Sequence, residues 1–277
     1  MINLTQYIKN SSILEALINE NKVVSFKDTN GRQKKFGQCI ILGGGPGIGK
    51  GFIRANYLDT DYKIFNVDTL KKLYNKMTKA GIINDKVYDL KNRDDVSALH
   101  NIIKDKGWKF KERDRMLNAS HIVNKDRLPN ICFDITAKDP TAFKEIFEQI
   151  AGIGYEITFV WVVGNLEVAI DNNSKRSRSI SNDILINSHN EVNKFIPELL
   201  SNKYPYISEK IDRAFICLSA GMGRKLSDKW SGSPVIEVPK KDNKFDYDSI
   251  KSEIEEFMLE KQPKRQSKNN INIKDKI

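Results

Sequence analysis

The sequence is poor in the residues that form metal centres and disulfide frameworks. Its 277 residues include three cysteines and three histidines, and neither a CxxC nor an HExxH spacing occurs, so nothing in the pattern supports a zinc site. Cys39, Cys132 and Cys217 are odd in number, far apart and each set within an apolar run. This distribution predicts buried thiols and argues against a disulfide scaffold.

Long apolar runs are missing as well. No segment approaches the roughly 20 apolar residues needed to cross a bilayer, and Lys9, Glu15 and Glu20 interrupt the apolar positions of the first 22 residues. With 39% hydrophobic and 30% charged residues, the chain is too apolar for a disordered protein and too polar for a membrane protein. We therefore expect neither a membrane span nor a secretory signal, no membrane partner, and a cytoplasmic location.

Acidic residues are outnumbered by basic ones. The chain has 46 Lys and Arg against 36 Asp and Glu, a net charge of +10, which favours polyanionic partners. Residues 261–277 carry six basic residues, one acidic residue and few apolar ones, which predicts a flexible basic tail. Two interpretations of this tail stay open, a solubilising terminus and an arm that binds nucleic acid or another anionic surface.

Short apolar runs alternate with amphipathic segments through the middle of the chain, a pattern typical of a largely parallel sheet covered by helices. We expect strands at 37–42, 63–67, 128–135, 157–163 and 214–218, with a weaker one at 235–238. Helical spacing of apolar residues predicts helices at 49–58, 69–80, 94–106, 140–150, 182–200 and 246–259. Residues 1–35 are a separate amphipathic segment, which we expect to be an N-terminal helical extension of one α/β domain at 36–260.

A glycine-rich segment links the first predicted strand to the first predicted helix. Residues 44–50 are GGPGIGK and match the pattern GxxxxGK. Glycines let backbone N–H groups turn inward around a phosphate, the following helix presents its positive N-terminus, and Lys50 can reach the outer phosphates. The predicted nucleotide-binding residues are Gly44, Gly45, Pro46, Gly47, Ile48, Gly49, Lys50 and Gly51.

Position 51 departs from this pattern. Ser or Thr normally follows the lysine and gives a hydroxyl to Mg²⁺, whereas Gly51 and then Phe52 follow Lys50 here. Two explanations stay open. Either carboxylates elsewhere hold Mg²⁺, or the protein binds nucleotide but has lost turnover.

Carboxylates follow two of the predicted strands. Asp68 comes directly after the second strand, where it faces the same crevice as the glycine-rich segment. It is either a base toward an acceptor hydroxyl or the N-cap of the next helix, and the upstream loop makes us favour the base. Asp134 closes the third strand in the layout of a Walker B motif and is predicted to hold Mg²⁺.

A basic polar stretch follows the fourth predicted strand. Arg176 and Arg178 lie in it, and we interpret residues 165–190 as a lid, because arginines that close over a nucleotide neutralise the transferring phosphoryl group. A solvated charged loop is the alternative. His189, on the next predicted helix, is expected to be structural rather than catalytic.

The order of these features resembles the zeta-toxin and polynucleotide-kinase group of P-loop kinases. The resemblance covers residues 37–218, and its most specific pieces are GGPGIGKG at 44–51, FNVDTLKKL at 65–73, NICFDIT at 130–136, GYEITFVWV at 154–162 and SKRSRSISNDIL at 174–185. It implies a three-layer α/β P-loop domain of kinase type with a mainly parallel sheet.

The resemblance also implies roles for matching residues. Lys50 would bind the ATP phosphates, Asp68 would act as the base toward the acceptor hydroxyl, and Arg178, with Arg176 as a second arginine, would stabilise the transition state. Asp134 stands where zeta-like proteins carry a Glu.

The acceptor is predicted only as a class. In kinases of this type the acceptor pocket is built by the segment after the second strand, and here that segment contains a basic stretch, residues 104–115, with Trp108 and Phe110. Such a surface suits nucleic acid and suits the diphosphate of a nucleotide sugar equally well. The alternative is a charged amphipathic helix whose Trp108 and Phe110 pack on the core.

We therefore expect an ATP- or GTP-dependent phosphotransferase, using Mg²⁺, that acts on a hydroxyl of a small nucleotide-type or nucleic-acid substrate. The alternative is a nucleotide-binding interaction or structural protein with weak or no turnover, which Gly51 and Phe52 motivate. The sequence identifies no protein partner.

Overall fold

The computed structural model describes residues 36–58, 62–117, 128–176, 180–221, 226, 228–231 and 234–260. The predicted N-terminal extension at 1–35 and the basic tail at 261–277 lie outside these residues. Both stay predictions, as do the predicted bounds of the domain at 36–260.

A six-stranded sheet forms the centre of the described fold. Its strands stand in the order β2-β3-β1-β4-β5-β6. Their bounds are β1 Gln38–Gly43, β2 Lys63–Asn66, β3 Ile131–Asp134, β4 Glu156–Val163, β5 Arg213–Leu218 and β6 Val235–Glu237. β1 to β5 pair in parallel and β6 pairs antiparallel with β5. A small hairpin of β7 (Lys240–Lys241) and β8 (Lys244–Phe245) follows.

Helices connect the strands. They are α1 (Lys50–Tyr57), α2 (Val67–Lys79), α3 (Arg93–Asp105), α4 (Trp108–Leu117), α5 (Pro140–Ile150), α6 (Leu166–Ser174), α7 (Asn182–Leu200), α8 (Pro205–Ser208), α9 (Asp228–Ser231) and α10 (Lys251–Leu259). Within the part of the chain that the structure describes, no helix is long and apolar enough to cross a bilayer.

Each predicted strand and helix is present, with some bounds shifted. β3 begins at Ile131 rather than at 128, because Pro129 has no N–H for a strand ladder. α10 begins at Lys251 rather than at 246, because a turn precedes it, in which the Ile250 N–H donates to the Tyr247 carbonyl at 3.0 Å. The sequence analysis did not predict α6, α8 or α9, and it offered a helix in the α4 segment only as an alternative.

The sheet is covered on both faces, which gives three layers. On one face Ile41 of β1 and Phe133 of β3 pack in the larger core with Phe143 of α5. On the other face Ile40 of β1 packs in a smaller core with Ile53 of α1. Every residue of β1 is buried, as expected of a parallel strand with both faces covered.

The three cysteines are free and buried, as predicted from the sequence. Each lies on a different strand of the central sheet. Burial raises the pKa of the Cys132 thiol and that of the Cys217 thiol to about 12, and it also raises the pKa of Cys39. All three sulfurs are therefore protonated packing groups near neutral pH.

The strand order creates a crevice at one edge of the sheet. β1 lies between β3 and β4, and in open parallel sheets ligands bind outside the carboxyl ends of the strands where the order changes direction. The register aligns Leu42 of β1 and Asn66 of β2 with Asp134 at this edge. The glycine-rich segment follows β1 at the same place.

The core position of Phe133 gives a stability prediction. Its side chain is fully buried and its ring centroid lies 5.9 Å from that of Phe65. Because packed neighbours cannot fill the space, we expect Phe133→Ala to lower the free energy of unfolding by about 3–5 kcal/mol in urea denaturation. The control is Leu259→Ala, at a side chain 83% exposed, which should change it by less than about 0.5 kcal/mol. Equal losses would contradict this packing.

Candidate functional site

The site is built on the glycine-rich loop, residues 44–49, between β1 and α1. Gly47 has φ 79°, and a Cβ there would lie 2.5 Å from the Ala169 carbonyl oxygen. Gly49 has φ 103°, and a Cβ there would lie 2.7 Å from Ser219 Oγ. Both positions need the backbone angles of glycine and leave no space for a side chain.

Side-chain donors hold the carbonyl oxygens of this loop. Lys50 Nζ, at the start of α1, donates to the Gly44 carbonyl at 2.7 Å and to the Gly45 carbonyl at 3.1 Å. The next three carbonyls accept from residues far away in sequence: Pro46 from His189 Nε2 at 2.8 Å, Gly47 from Asn172 Nδ2 at 2.9 Å, and Ile48 from Ser219 Oγ at 2.6 Å. Five consecutive carbonyls are thus bonded to the surrounding protein.

This arrangement fixes the direction of the loop's N–H groups. In a trans peptide the N–H points opposite to the C=O of the same peptide unit. The N–H groups of Gly47, Ile48 and Gly49 therefore point away from the side chains that hold these three carbonyls, whereas the Gly45 N–H points away from Lys50. Successive N–H groups such as those of residues 47–49 are the donors from which anion-binding concavities are formed.

The start of α1 adds to this donor set. The first N–H groups of a helix have no intrahelical acceptor, and this end carries a partial positive charge. Gly49 is the N-cap and offers no side-chain hydrogen bond, and the first turn of α1 contains no acidic residue. The N–H groups of Lys50 and Gly51 are therefore available to an anion at the loop.

His189 supports the loop from behind. Its ring lies against Gly45, where a Cβ would come within 2.3 Å of the imidazole. Burial and the nearby Lys50 charge lower the pKa of His189, although its hydrogen bond to the Pro46 carbonyl opposes this. The ring is neutral and Nε2 carries the proton, since its partner is a carbonyl. This contact agrees with the structural role predicted for His189.

Lys50 is a half-buried ammonium. Burial lowers its pKa, the Asp134 carboxylate raises it, and the Arg176 guanidinium lowers it. The site therefore places Lys50 between one anionic and one cationic side chain. The two loop carbonyls that accept from Lys50 are neutral. A bound anion would offer charged acceptors, which form stronger hydrogen bonds and can therefore replace the carbonyls as partners of Lys50.

Asp134 lies at the end of β3 and is held by two donors. Arg54 Nη1, on α1, lies 3.0 Å from its Oδ2, and Asn66 Nδ2 donates to the same oxygen at 2.7 Å. The Asp134 side chain is 8% exposed. The carboxylate is thus paired and fixed within the sheet edge.

The notable feature of these contacts is that they do not fit a Mg²⁺ ion bound directly by Asp134 Oδ2; binding through water stays a prediction. Mg²⁺ needs oxygen ligands at about 2.0–2.1 Å in octahedral geometry, but a guanidinium and an amide already occupy Oδ2, and Gly51 brings no hydroxyl. Across the described residues, no cluster of three or more His, Cys, Asp or Glu side chains is placed to hold a metal. The metal role of Asp134 stays a prediction that its present contacts do not fit.

Asp68 lies in the first turn of α2, which begins two residues earlier than predicted. Asn66 is the N-cap, and its Oδ1 accepts the Asp68 N–H at 2.8 Å. The N-cap interpretation of Asp68 is therefore wrong, because β2 ends at Asn66 and that residue takes the cap position. The Asp68 carboxylate is 38% exposed and lies 3.9 Å from Lys71 Nζ. Its role as a base stays a prediction.

Where it is described, the predicted lid contains α6 and the first part of α7. α6 ends at Ser174, α7 begins at Asn182, and the Asn173 side chain links their ends by donating to the Ile180 carbonyl at 2.8 Å and accepting the Ile180 N–H at 3.1 Å. Arg176 is exposed just after α6. Arg178 lies outside the described residues, and the lid role of both arginines stays a prediction.

A basic layer formed by α2, α3 and α4 flanks Asp68. Lys71 and Arg113 are buried charged residues, at 6% and 5% exposure. Burial lowers the pKa of Lys71 and that of Lys109. Arg113 pairs with Glu145 at 2.8 Å, but the layer as a whole is rich in cations.

The aromatic residues of this layer behave differently from each other. The Trp108 ring centroid lies 5.3 Å from that of Tyr74 in the core, whereas Phe110 is 57% exposed. The alternative, a charged helix at 104–115 whose Trp108 and Phe110 pack on the core, therefore holds for Trp108 and not for Phe110, and the segment spans the end of α3 and most of α4.

Comparison with known proteins gives matches in structure. No protein-family profile and no curated protein matches the sequence. A structure from the PezAT chromosomal toxin–antitoxin system of Streptococcus pneumoniae matches with a TM-score of 0.51 and 12% identity, over 92% of this chain and 88% of that one. An AvrRxo1-ORF1:-ORF2 structure with ATP has a TM-score of 0.45 and 12% identity, over 83% of this chain and 66% of that one.

A deoxyadenosine kinase from M. mycoides with bound dATP also matches, with a TM-score of 0.34 and 16% identity, over 65% of this chain and 89% of that one. At such identities a likeness concerns the fold. The match to the PezAT structure, together with the sheet order, confirms the three-layer α/β P-loop kinase fold that the sequence predicted. This match agrees in fold with the predicted resemblance to the zeta-toxin-like group, and at 12% identity it shows the fold alone.

The basic layer gives a prediction for pH. Burial, followed by the charges of Lys109, Lys71 and Lys104, lowers the pKa of His100 from 6.5 to about 4. The unfolded chain then binds this proton at a higher pH than the folded chain does, so stability is lost as the pH falls from 6.5 to about 4. We expect His100→Gln to lose less stability than the wild type over this interval, measured by urea unfolding at several pH values. Parallel curves for the two proteins would contradict a buried neutral imidazole.

Proposed function

We propose that this chain binds a nucleoside triphosphate, ATP or GTP, at the glycine-rich loop and transfers its terminal phosphoryl group to a hydroxyl of an anionic acceptor. The observation that carries the proposal is the row of three loop carbonyls, those of Pro46, Gly47 and Ile48, bonded to the protein. That row turns the next three N–H groups away from the bonding side chains and leaves them, with the start of α1, as donors, and phosphate is the ligand for which such donors are suited.

Lys50 is the residue that would reach the outer phosphates. In the structure its ammonium bonds to two neutral carbonyls of the loop. A triphosphate offers charged acceptors, whose hydrogen bonds are about twice as strong as neutral ones. We infer that Lys50 moves from the carbonyls to the phosphates when nucleotide binds.

The basic layer supports an acceptor that carries its own negative charge. Lys71 and Arg113 are buried, and Lys109 is half-buried beside them. An acceptor with phosphate groups, either a nucleotide sugar or a nucleic-acid strand, would offset this charge while its hydroxyl lies at Asp68. The exposed Phe110 ring is available to stack on a base.

In the proposed reaction Asp68 takes the proton of the acceptor hydroxyl. The hydroxyl oxygen then bonds to the terminal phosphorus as the bond from that phosphorus to the bridging oxygen breaks, which leaves a nucleoside diphosphate. Arg176 and Arg178 would neutralise the charge on the moving phosphoryl group. No step of this reaction uses Mg²⁺, because the contacts of Asp134 Oδ2 do not fit a directly bound Mg²⁺ ion.

Nucleotide binding is tested with Lys50→Ala in isothermal titration with ATP and with GTP. Because this variant loses a charge-assisted contact worth about 1.5–3 kcal/mol, we expect its Kd to rise about ten- to hundredfold. The matched control is Lys144→Ala, at an exposed lysine of α5, whose Kd should equal that of the wild type. Binding that does not depend on Lys50 would contradict the proposed site.

Phosphoryl transfer is tested by ³²P transfer from labelled ATP to a panel of oligonucleotides, nucleosides and nucleotide sugars. Loss of the proton acceptor in Asp68→Asn should lower kcat about 10²- to 10⁴-fold and leave ATP binding unchanged. Asp242→Asn, at an exposed residue in the turn between β7 and β8, is the control. Lys50-dependent binding with neither transfer nor hydrolysis would favour the alternative, a nucleotide-binding module without turnover.

A further inference from the structure

The ion pair between Arg54 and Asp134 lies directly beside the glycine-rich loop. Arg54 follows Lys50 by four residues on α1, so the two side chains leave the same face of the helix. Arg54 Nη1 lies 3.0 Å from Asp134 Oδ2, and Asn66 Nδ2 donates to the same oxygen at 2.7 Å. The Arg54 side chain is 31% exposed, whereas that of Asp134 is 8% exposed. The cation is therefore partly accessible to a ligand, whereas the anion is buried.

A divalent cation at this carboxylate would meet the guanidinium. Arg54 and Asn66 both bond Oδ2, so the cation would bind at Oδ1, where two positive charges a few ångströms apart in a partly buried site repel by several kcal/mol. The hydroxyl that normally completes a metal site in such loops is absent at Gly51. No neighbouring atom fills its place, since a Cβ at Gly51 would meet nothing within 4 Å.

We propose that Arg54 takes the place of the divalent metal, so that this chain binds a nucleoside triphosphate without Mg²⁺. This inference rests on the proposed function and concerns the same site. Arg54 is held by Asp134 through Nη1, and a guanidinium has five N–H donors, so it has donors left for a phosphate. The positive side chains of Lys50, Arg54 and Arg176 would then offset the negative charge of the triphosphate. Asp134 is the one negative side chain beside these three.

The test compares the Kd for ATP in excess EDTA with the Kd in excess MgCl₂, by isothermal titration of the full chain. For the wild type we expect the two values to agree within about threefold. For Arg54→Gln we expect the Kd in EDTA to rise at least about tenfold, because a charged contact is lost and Asp134 is left unpaired near the phosphates. Arg54→Lys, which keeps the charge, should recover part of the loss, and Arg115→Gln, at an exposed arginine of α4, should match the wild type.

A double variant tests the exchange of cation directly. Gly51→Ser combined with Arg54→Gln restores a hydroxyl in an open position and frees the carboxylate of Asp134. We expect this variant to bind ATP weakly in EDTA and at least about tenfold more tightly in MgCl₂. An unchanged ratio of the two Kd values in the double variant would overturn the proposal.

The remaining outcomes separate this inference from the proposed function. Wild-type binding that requires Mg²⁺ would overturn the role of Arg54 and leave the nucleotide site intact. A lower melting temperature in Arg54→Gln with an unchanged ratio of Kd values would assign Arg54 a structural role and would also overturn it. If Arg54→Gln does not fold, the wild-type ratio decides alone. Absence of Lys50-dependent binding in both buffers would overturn the proposed function itself.

Discussion

The glycine-rich loop keeps its shape because its carbonyl oxygens are bonded to the protein behind it. Buried backbone groups need partners, and here the donors for three of these carbonyls are His189 from α7, Asn172 from α6 and Ser219 from the end of β5. Those elements reach the loop because β4 lies beside β1 and β5 lies beside β4 in the sheet. The loop conformation therefore depends on the strand order, and the direction of the loop N–H groups depends on the loop conformation.

Positive charge surrounds this edge of the sheet on two sides. Lys50, Arg54 and the exposed Arg176 lie at the loop, and the buried cations of α2 to α4 lie beyond Asp68. Asp134 offsets part of the first group, and Asp68 lies 3.9 Å from Lys71 of the second. Such a distribution suits anionic ligands at both basic regions.

The loop and the sheet were predictable because their signals are local. An apolar run followed by GGPGIGK specifies strand, loop and helix within a dozen residues, whereas the donors for the loop carbonyls have no local signal. Asn172 and Ser219 are ordinary polar residues until strand pairing brings them to the loop, Ser219 across 171 positions. Arg54 shares a helix face with Lys50, but its partner Asp134 depends on the pairing of β1 with β3. The N-cap was misassigned because Asn66 ends β2 one residue earlier than the apolar pattern suggests.

The distance in sequence between Ile48 and Ser219 also bears on how the molecule is made. During synthesis the loop emerges from the ribosome well before the residues that hold it, and Ser219 is the last of these to appear. Until β5 pairs with β4, the carbonyl of Ile48 lacks its donor and the loop stays incompletely shaped. Contacts of such long range form late and slow folding. A nascent chain therefore acquires this cradle close to the end of its folding, and nucleotide cannot act as an early template for it.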